Sequence, residues 1–423
     1  MWEAATSVNC APFGSDDLQA AISTAAPGAT LSIRGTCTGN FLLTQDVTLQ
    51  AAAGATLNGG GTGSTLTING GTDTIRGLTI TGGVADFGGG INMNEGSETV
   101  NLVDSTVRAN TATFVGGGIG QAPSTLNVVN STVSGNTTQF LGGGIASFSA
   151  TLNLNGSTVS GNSATAPDEA AGGGIGVFGS TATLNASTVR GNTSGNNGAG
   201  IDQEGTGGTL TVNNSTVSEN SGAGGAGGIN NFGGALALTN SSVDHNTAAS
   251  GGGIFNDSGF EDATLTINHS TVSFNRALGT DPFFGGGGGI TNFAELGNTA
   301  SVVATHLTMT GNTAPAGHGG AIANQGGDGT AALVTIAQST IGPPNGINPN
   351  SAIIGGGIYN DGTLGPASVS LQPGTIVAHN QAASDGGGLY NTGTHSHLLI
   401  GPGVVFLFNS PDNVSDESPG GNS

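Results

Sequence analysis

The densest run of side chains able to do chemistry lies between positions 244 and 281: Asp244, His245, Asp257, Glu261, Asp262, His269, Arg276 and Asp281. Carboxylates and imidazoles grouped in this way suit general acid–base catalysis, which needs a proton donor and a proton acceptor on either side of a reacting bond. Asp281-Pro282-Phe283-Phe284 lengthens the chain here before a run of glycines, and long loops on rigid scaffolds concentrate function. Asp244, His245, Glu261, Asp262 and Arg276 are therefore the candidate catalytic residues. A smaller constellation, His395-x-His397, would set two imidazoles on one strand face, with no third ligand nearby to complete a metal site. Calcium-loop signatures are absent from the sequence, so no metal or cofactor is expected.

Composition narrows the partners. The chain carries 26 acidic and 5 basic residues, a net charge of −21. All the basic residues are arginines: Arg34, Arg76, Arg108, Arg190 and Arg276. Binding nucleic acid or anionic lipid requires Lys and Arg against phosphate, so neither is an expected partner. No apolar run reaches the 18 or so residues of a membrane span.

What must position the candidates is a repeat. Gly accounts for 81 of 423 residues, and the glycines recur in clusters closed by an aliphatic residue, at Ile91, Ile119, Ile145, Ile175, Ile201, Ile229, Ile254, Ile290, Ile322, Ile358 and Leu389. A second landmark, S-T-V-x-x-N, ends at Asn110, Asn136, Asn162, Asn192, Asn220 and Asn246, with looser versions ending at Asn275, Asn312, Asn380 and Asn409. Short alternating segments such as Thr125-Leu126-Asn127-Val128 lie between the landmarks. This pattern predicts an all-β, right-handed parallel β-helix of about a dozen three-stranded coils, each roughly 26–36 residues long. Alternation points Val107, Val133, Val159, Val189, Val217, Val243 and Val272 inward, and stacking at about 4.8 Å makes them a ladder. The asparagines suit turns, where Asn tolerates left-handed backbone and bonds its equivalent one coil away. A second polar ladder follows the isoleucines at Gln121, Gln203, Asn231, Asn256, Asn292, Asn324, Asn360 and Asn391.

The ends differ from the body. Ser15 to Ala26 reads as a short capping helix with Ser15 as N-cap, Asp16 and Asp17 in its first turn, and Leu18, Ala21, Ile22 and Ala25 on one face. Cys10 and Cys37 lie roughly one coil length apart, which predicts a disulfide in an oxidising compartment. The expected organisation is a cap over 1–45, a β-helix over 46–409 and a polar, disordered tail over 410–423. Met1-Trp2-Glu3 opens directly on polar sequence, which reads as a mature chain behind an added start methionine.

Gly35-Thr36-Cys37-Thr38-Gly39-Asn40-Phe41 and Arg76-Gly77-Leu78-Thr79-Ile80-Thr81-Gly82 resemble the opening coils of the pectin-lyase-like superfamily of parallel β-helices. The body over about 80–410 is similar to the repeats of polymorphic outer-membrane, autotransporter-type passenger domains. Gly319-Gly320-Ala321-Ile322 and Phe406-Leu407-Phe408-Asn409 match their GGA(I/L/V) and FxxN motifs outright, and GGGI and VxxN stand in elsewhere. The resemblance implies the fold and a secreted or cell-surface location. It leaves function open, because the superfamily holds lyases, hydrolases, tailspikes and adhesins. Lyases of this class use Arg or Lys to take a sugar proton; here lysine is absent and the arginines are scattered.

The resulting expectation is an extracellular structural or adhesive rod without catalytic activity. Its partners would be itself, end to end or laterally, or surface glycans. The alternative is a polysaccharide-active lyase or glycoside hydrolase with its site around 244–281, for which two carboxylates within about 10 Å are needed.

Overall fold

The computed structural model describes residues 6–94, 96–280 and 286–419. It is an all-β parallel solenoid of about 14 coils with one helix among the described residues, and it divides into two compact units, Met1–Gly195 and Asn196–Ser423. A complete coil carries four strand segments on three sheets. In the first unit one coil runs Thr125–Val129, Thr132–Ser134, Thr137–Thr138 and Ile145–Phe148. The first two segments lie end to end in one sheet, bent at Asn130, whose φ is 47°. The third forms a short-strand sheet and the fourth an isoleucine-lined sheet.

The ladders follow from alternation. Within the first unit Val107, Val133, Val159 and Val189 stand in register, as do Ile119, Ile145 and Ile175. In the second unit Ile201, Ile229, Ile254, Ile290, Ile322, Ile358 and Leu389 repeat the arrangement. These side chains are fully buried, and each contributes about 1.5–3 kcal/mol of transfer free energy.

Buried asparagines tie the coils together. Asn136 Nδ2 donates to Asn162 Oδ1 at 3.0 Å and to Val107 O at 3.0 Å, while its Oδ1 accepts from Asn110 N and Asn110 Nδ2. The second unit continues the device through Asn220, Asn246, Asn275, Asn312, Asn350, Asn380 and Asn409. Asn350 does not stand out in the sequence because Pro343–Pro349 separates it from Thr340-Ile341. The second ladder also forms, with Nδ2-to-Oδ1 bonds of 2.6 to 2.8 Å running from Asn231 through Asn256, Asn292, Asn324 and Asn360 to Asn391. The serine of each S-T-V turns inward: Ser131 is buried, donates to Leu102 O and accepts from Ser105 N. Glycine is obligatory where turns nest, since a Cβ on Gly143 would sit 2.4 Å from Gly173 O.

At the N-terminus the helix is shorter than expected, Leu18–Thr24, and Asp17 rather than Ser15 is its N-cap, accepting from Ala20 N. Asp16 instead accepts from Asn9 N, 2.8 Å away. Gln19 both accepts from Leu42 N and donates to Leu42 O, so the helix satisfies a strand edge that would otherwise be open. Cys10 and Cys37 form the expected disulfide. Val414–Asp416, within the stretch expected to be disordered, is a strand in register with Leu389–Asn391. Met1-Trp2-Glu3 and Asp281-Pro282-Phe283-Phe284 lie outside the described residues.

Removing one ladder amide leaves buried backbone groups above and below without partners, at about 1–3 kcal/mol each. Asn275→Ala is thus expected to destabilise by about 2–4 kcal/mol. Asn127→Ala, which removes a half-buried surface amide bonded to Asn101, should cost under about 1 kcal/mol. The two urea midpoints measured side by side check this.

Candidate functional site

Gln203 points inward in the second unit, so Asp202 and Glu204, its neighbours on Ile201–Glu204, share the opposite face of the strand. In the next coil the equivalent positions are Asn230 and Phe232, and in the one after, Phe255 and Asp257. The column continues with Thr291 and Phe293. One face of the isoleucine sheet therefore carries Glu204, Phe232, Asp257 and Phe293 in successive coils, with Asp202 beside Glu204.

Packing desolvates the carboxyls. Asp202 is fully buried, because the turn before its strand folds over it: a Cβ on Gly198 would lie 2.5 Å from that of Asp202. Its Oδ1 accepts from Asn230 Nδ2 at 2.8 Å. Burial, reinforced by the Glu204 charge, holds its pKa well above the usual carboxylate range. Burial also raises Glu204, and the hydrogen bond from Asp202 opposes that rise. Both carboxyls are thus held above the usual range, each acting on the other's titration, with Asp202 the more deeply buried of the two.

Asp257 lies between the positions of Phe232 and Phe293 and is 6% exposed. Burial pushes its pKa up to about 7; the bond from Gly259 N lowers it and the Glu295 charge raises it. Glu295 is itself raised, by burial and by Asp328. The turn after Asp257 presses on the Phe232 ring, since a Cβ on Gly259 would come within 2.3 Å of it. Beyond Gly259, Phe260 stands 78% exposed with its ring edge-on to Phe232 at 5.5 Å. Two coil spacings separate the backbones of Glu204 and Asp257 by about 10 Å.

The residues singled out in the sequence are dispersed. Glu261 joins this edge, where its Oε2 accepts from Gly207 N in the turn that follows Glu204. Asp262 is exposed and accepts from Thr299 N. Asp244 and His245 pair with each other at 2.9 Å on the double-strand sheet, and the His245 ring stacks on Phe274. Arg276 lies on the short-strand sheet. His269 stacks on His306, and His395 and His397 are exposed. No group of three or more His, Cys, Asp or Glu suited to a metal ion occurs among the described residues. Asp202 and Glu204 escape notice in sequence because attention falls on the valine strands. The flanks of the second ladder carry the signal, Ile201-Asp202-Gln203-Glu204 standing where other coils read Ile229-Asn230-Asn231-Phe232.

No family model matches the chain, and no curated protein matches it. Among solved structures it is similar to the catalytic domain of a GH87 alpha-1,3-glucanase in complex with nigerose. The identity is 12% and the TM-score 0.39, over 97% of this chain and 69% of that one. The similarity to autotransporter-type repeats finds no counterpart in these comparisons. The expectation of a rod without catalytic activity is corrected: desolvated carboxyls gather on one face of the isoleucine sheet, which a rod does not require. No helix among the described residues is long and apolar enough to cross a membrane.

The raised pKa of Asp257 has a thermodynamic signature. The folded chain keeps this proton up to about pH 7, whereas an unfolded aspartate releases it near 4. The stability linked to it is fully present below about pH 4 and is lost as pH rises to 7. Asp257→Asn, which keeps an oxygen for Gly259 N, is expected to flatten the fall in stability between pH 4 and 8 by a few kcal/mol. Urea titrations of both chains across that range read it out.

Proposed function

We propose that the chain is a secreted glycoside hydrolase acting on a neutral polysaccharide. The observation that carries the reading is the Glu204–Asp257 pair, two carboxyls about 10 Å apart at the backbone on either side of Phe232. Glycoside hydrolysis with inversion uses one protonated and one ionised carboxyl set far enough apart to admit water. Asp257, held protonated by burial, donates its proton to the glycosidic oxygen as the bond to the anomeric carbon breaks. Glu204, the more exposed of its pair with Asp202, takes a proton from the water that attacks the anomeric carbon from the other side. Asp202 is a positioning residue. Phe260 offers an exposed ring on which the apolar face of a sugar can rest.

Charge supports a neutral substrate and disfavours a lyase. The sequence has no lysine, and four of its arginines, Arg34, Arg76, Arg108 and Arg190, belong to the first unit. The fifth, Arg276, is on another sheet. Nothing cationic stands among Asp202, Glu204, Asp257, Glu261 and Glu295 to neutralise a uronate or to abstract its proton, and like charges would repel. The Cys10–Cys37 disulfide supports secretion.

The test is reducing-sugar release from a panel of neutral and uronic-acid polysaccharides. Cleavage of a neutral member is expected, with kcat reduced about 10²–10⁴-fold by Glu204→Gln and by Asp257→Asn. Asp244→Asn and His245→Ala should leave it within about twofold. An inverted product anomer by NMR is the further expectation. Cleavage that survives both the Glu204 and Asp257 changes would overturn the assignment.

A further inference from the structure

The first unit has a groove of about 400 Å³ at the turns between the isoleucine sheet and the double-strand sheet. Its floor is Thr99, Thr125, Thr151 and Thr181, one from each of four successive coils in strict register. Ser97 and Ser149 add hydroxyls from the turns. Glu98 and Ser124 border the groove from the inward side and are buried, Ser124 donating to Gln121 Oε1. Phe148 and Phe178, whose rings stack at 4.8 Å, directly precede the lining residues Ser149 and Gly179.

We propose that this groove is a second carbohydrate site, which binds a neutral oligosaccharide along the stack of coils without cleaving it. The lining excludes other ligand classes. It carries no cation for a phosphate or uronate, too few carboxylates for a hard metal, and too little apolar surface for a lipid or drug-like ligand. Hydroxyls at a repeat of about 4.8 Å fit a polyol that repeats at a similar interval, as a chain of pyranose rings does. The size falls within the range of small-ligand sites, about 300–1,000 Å³. A lining of hydroxyls, with no carboxyl pair to flank a reacting bond, gives binding and no hydrolysis. The identity of the ligand rests on the glycan-active reading above; the site itself is separate from Glu204 and Asp257.

Calorimetric titration of the full Glu204→Gln chain with maltotetraose, cellotetraose and laminaritetraose tests the proposal. Two equivalents of at least one tetraose are expected, and Thr125→Arg with Thr151→Arg, which fill the groove, should remove one. The near-isosteric pair Thr125→Val and Thr151→Val should weaken that equivalent about tenfold, which covers any misfolding of the arginine variants. In the wild-type background the valine pair should leave kcat on a short soluble substrate unchanged. One equivalent that vanishes with the groove changes keeps this site and counts against the Glu204–Asp257 reading. One equivalent indifferent to those changes, or no binding of any tetraose, overturns the groove.

Discussion

A buried amide can be satisfied only by its copy in the next coil, and this constraint governs the molecule. Each ladder asparagine has donors and an acceptor that the thin core cannot otherwise pair. In the first unit Asn136 spends both donors and its oxygen on Asn162, Val107 and Asn110. A slip of one residue would bury the outward threonines, expose the valines and orphan these amides together. Register is therefore enforced at every coil by polar and apolar terms acting at the same positions. Insertions are tolerated only where they leave the ladder intact, as Pro343–Pro349 does in delivering Asn350 to its place between Asn312 and Asn380.

That enforcement leaves the outward positions beside the second ladder free to vary, and variation there yields chemistry. Asp202, Asn230, Phe255 and Thr291 stand in one register, and Glu204, Phe232, Asp257 and Phe293 in the next but one. The glycine turns that fold over these positions take water away from them. The fold thus supplies desolvation at every coil, and a carboxylate placed in such a column acquires a raised pKa without a dedicated pocket. Neighbouring rings strengthen the effect at Asp257, and a second carboxyl does so at Asp202.

The fold was legible because its signals repeat. Glycine clusters, inward valines and both polar ladders can each be read from seven or more copies, so one irregular coil does not hide them. The candidate site was legible only in part, because its residues occur once. Asp257 and Glu261 fall inside the stretch that composition singles out, whereas Asp244, His245 and Arg276 share that stretch of sequence and lie on other sheets. Proximity in sequence is a poor guide in a solenoid, where one coil visits every face and true neighbours are a full coil apart. Glu204 and Asp257 are distant in sequence yet only two coils apart.

Desolvation alone does not mark a site, as Asp73 in the first unit demonstrates. It is fully buried in register with Val100, its Oδ1 accepts from Val47 N, and burial raises its pKa to about 6. By titration alone it would rank beside Asp257. It faces inward, though, at a position where other coils place an aliphatic side chain, so no substrate can reach it and its hydrogen bond serves a neighbouring strand. Asp257 combines a similar pKa with an outward position, an exposed ring at Phe260 and a partner carboxyl two coils away. Direction relative to the ladder, which the residue pattern encodes through parity, separates a buried structural acid from one placed to work.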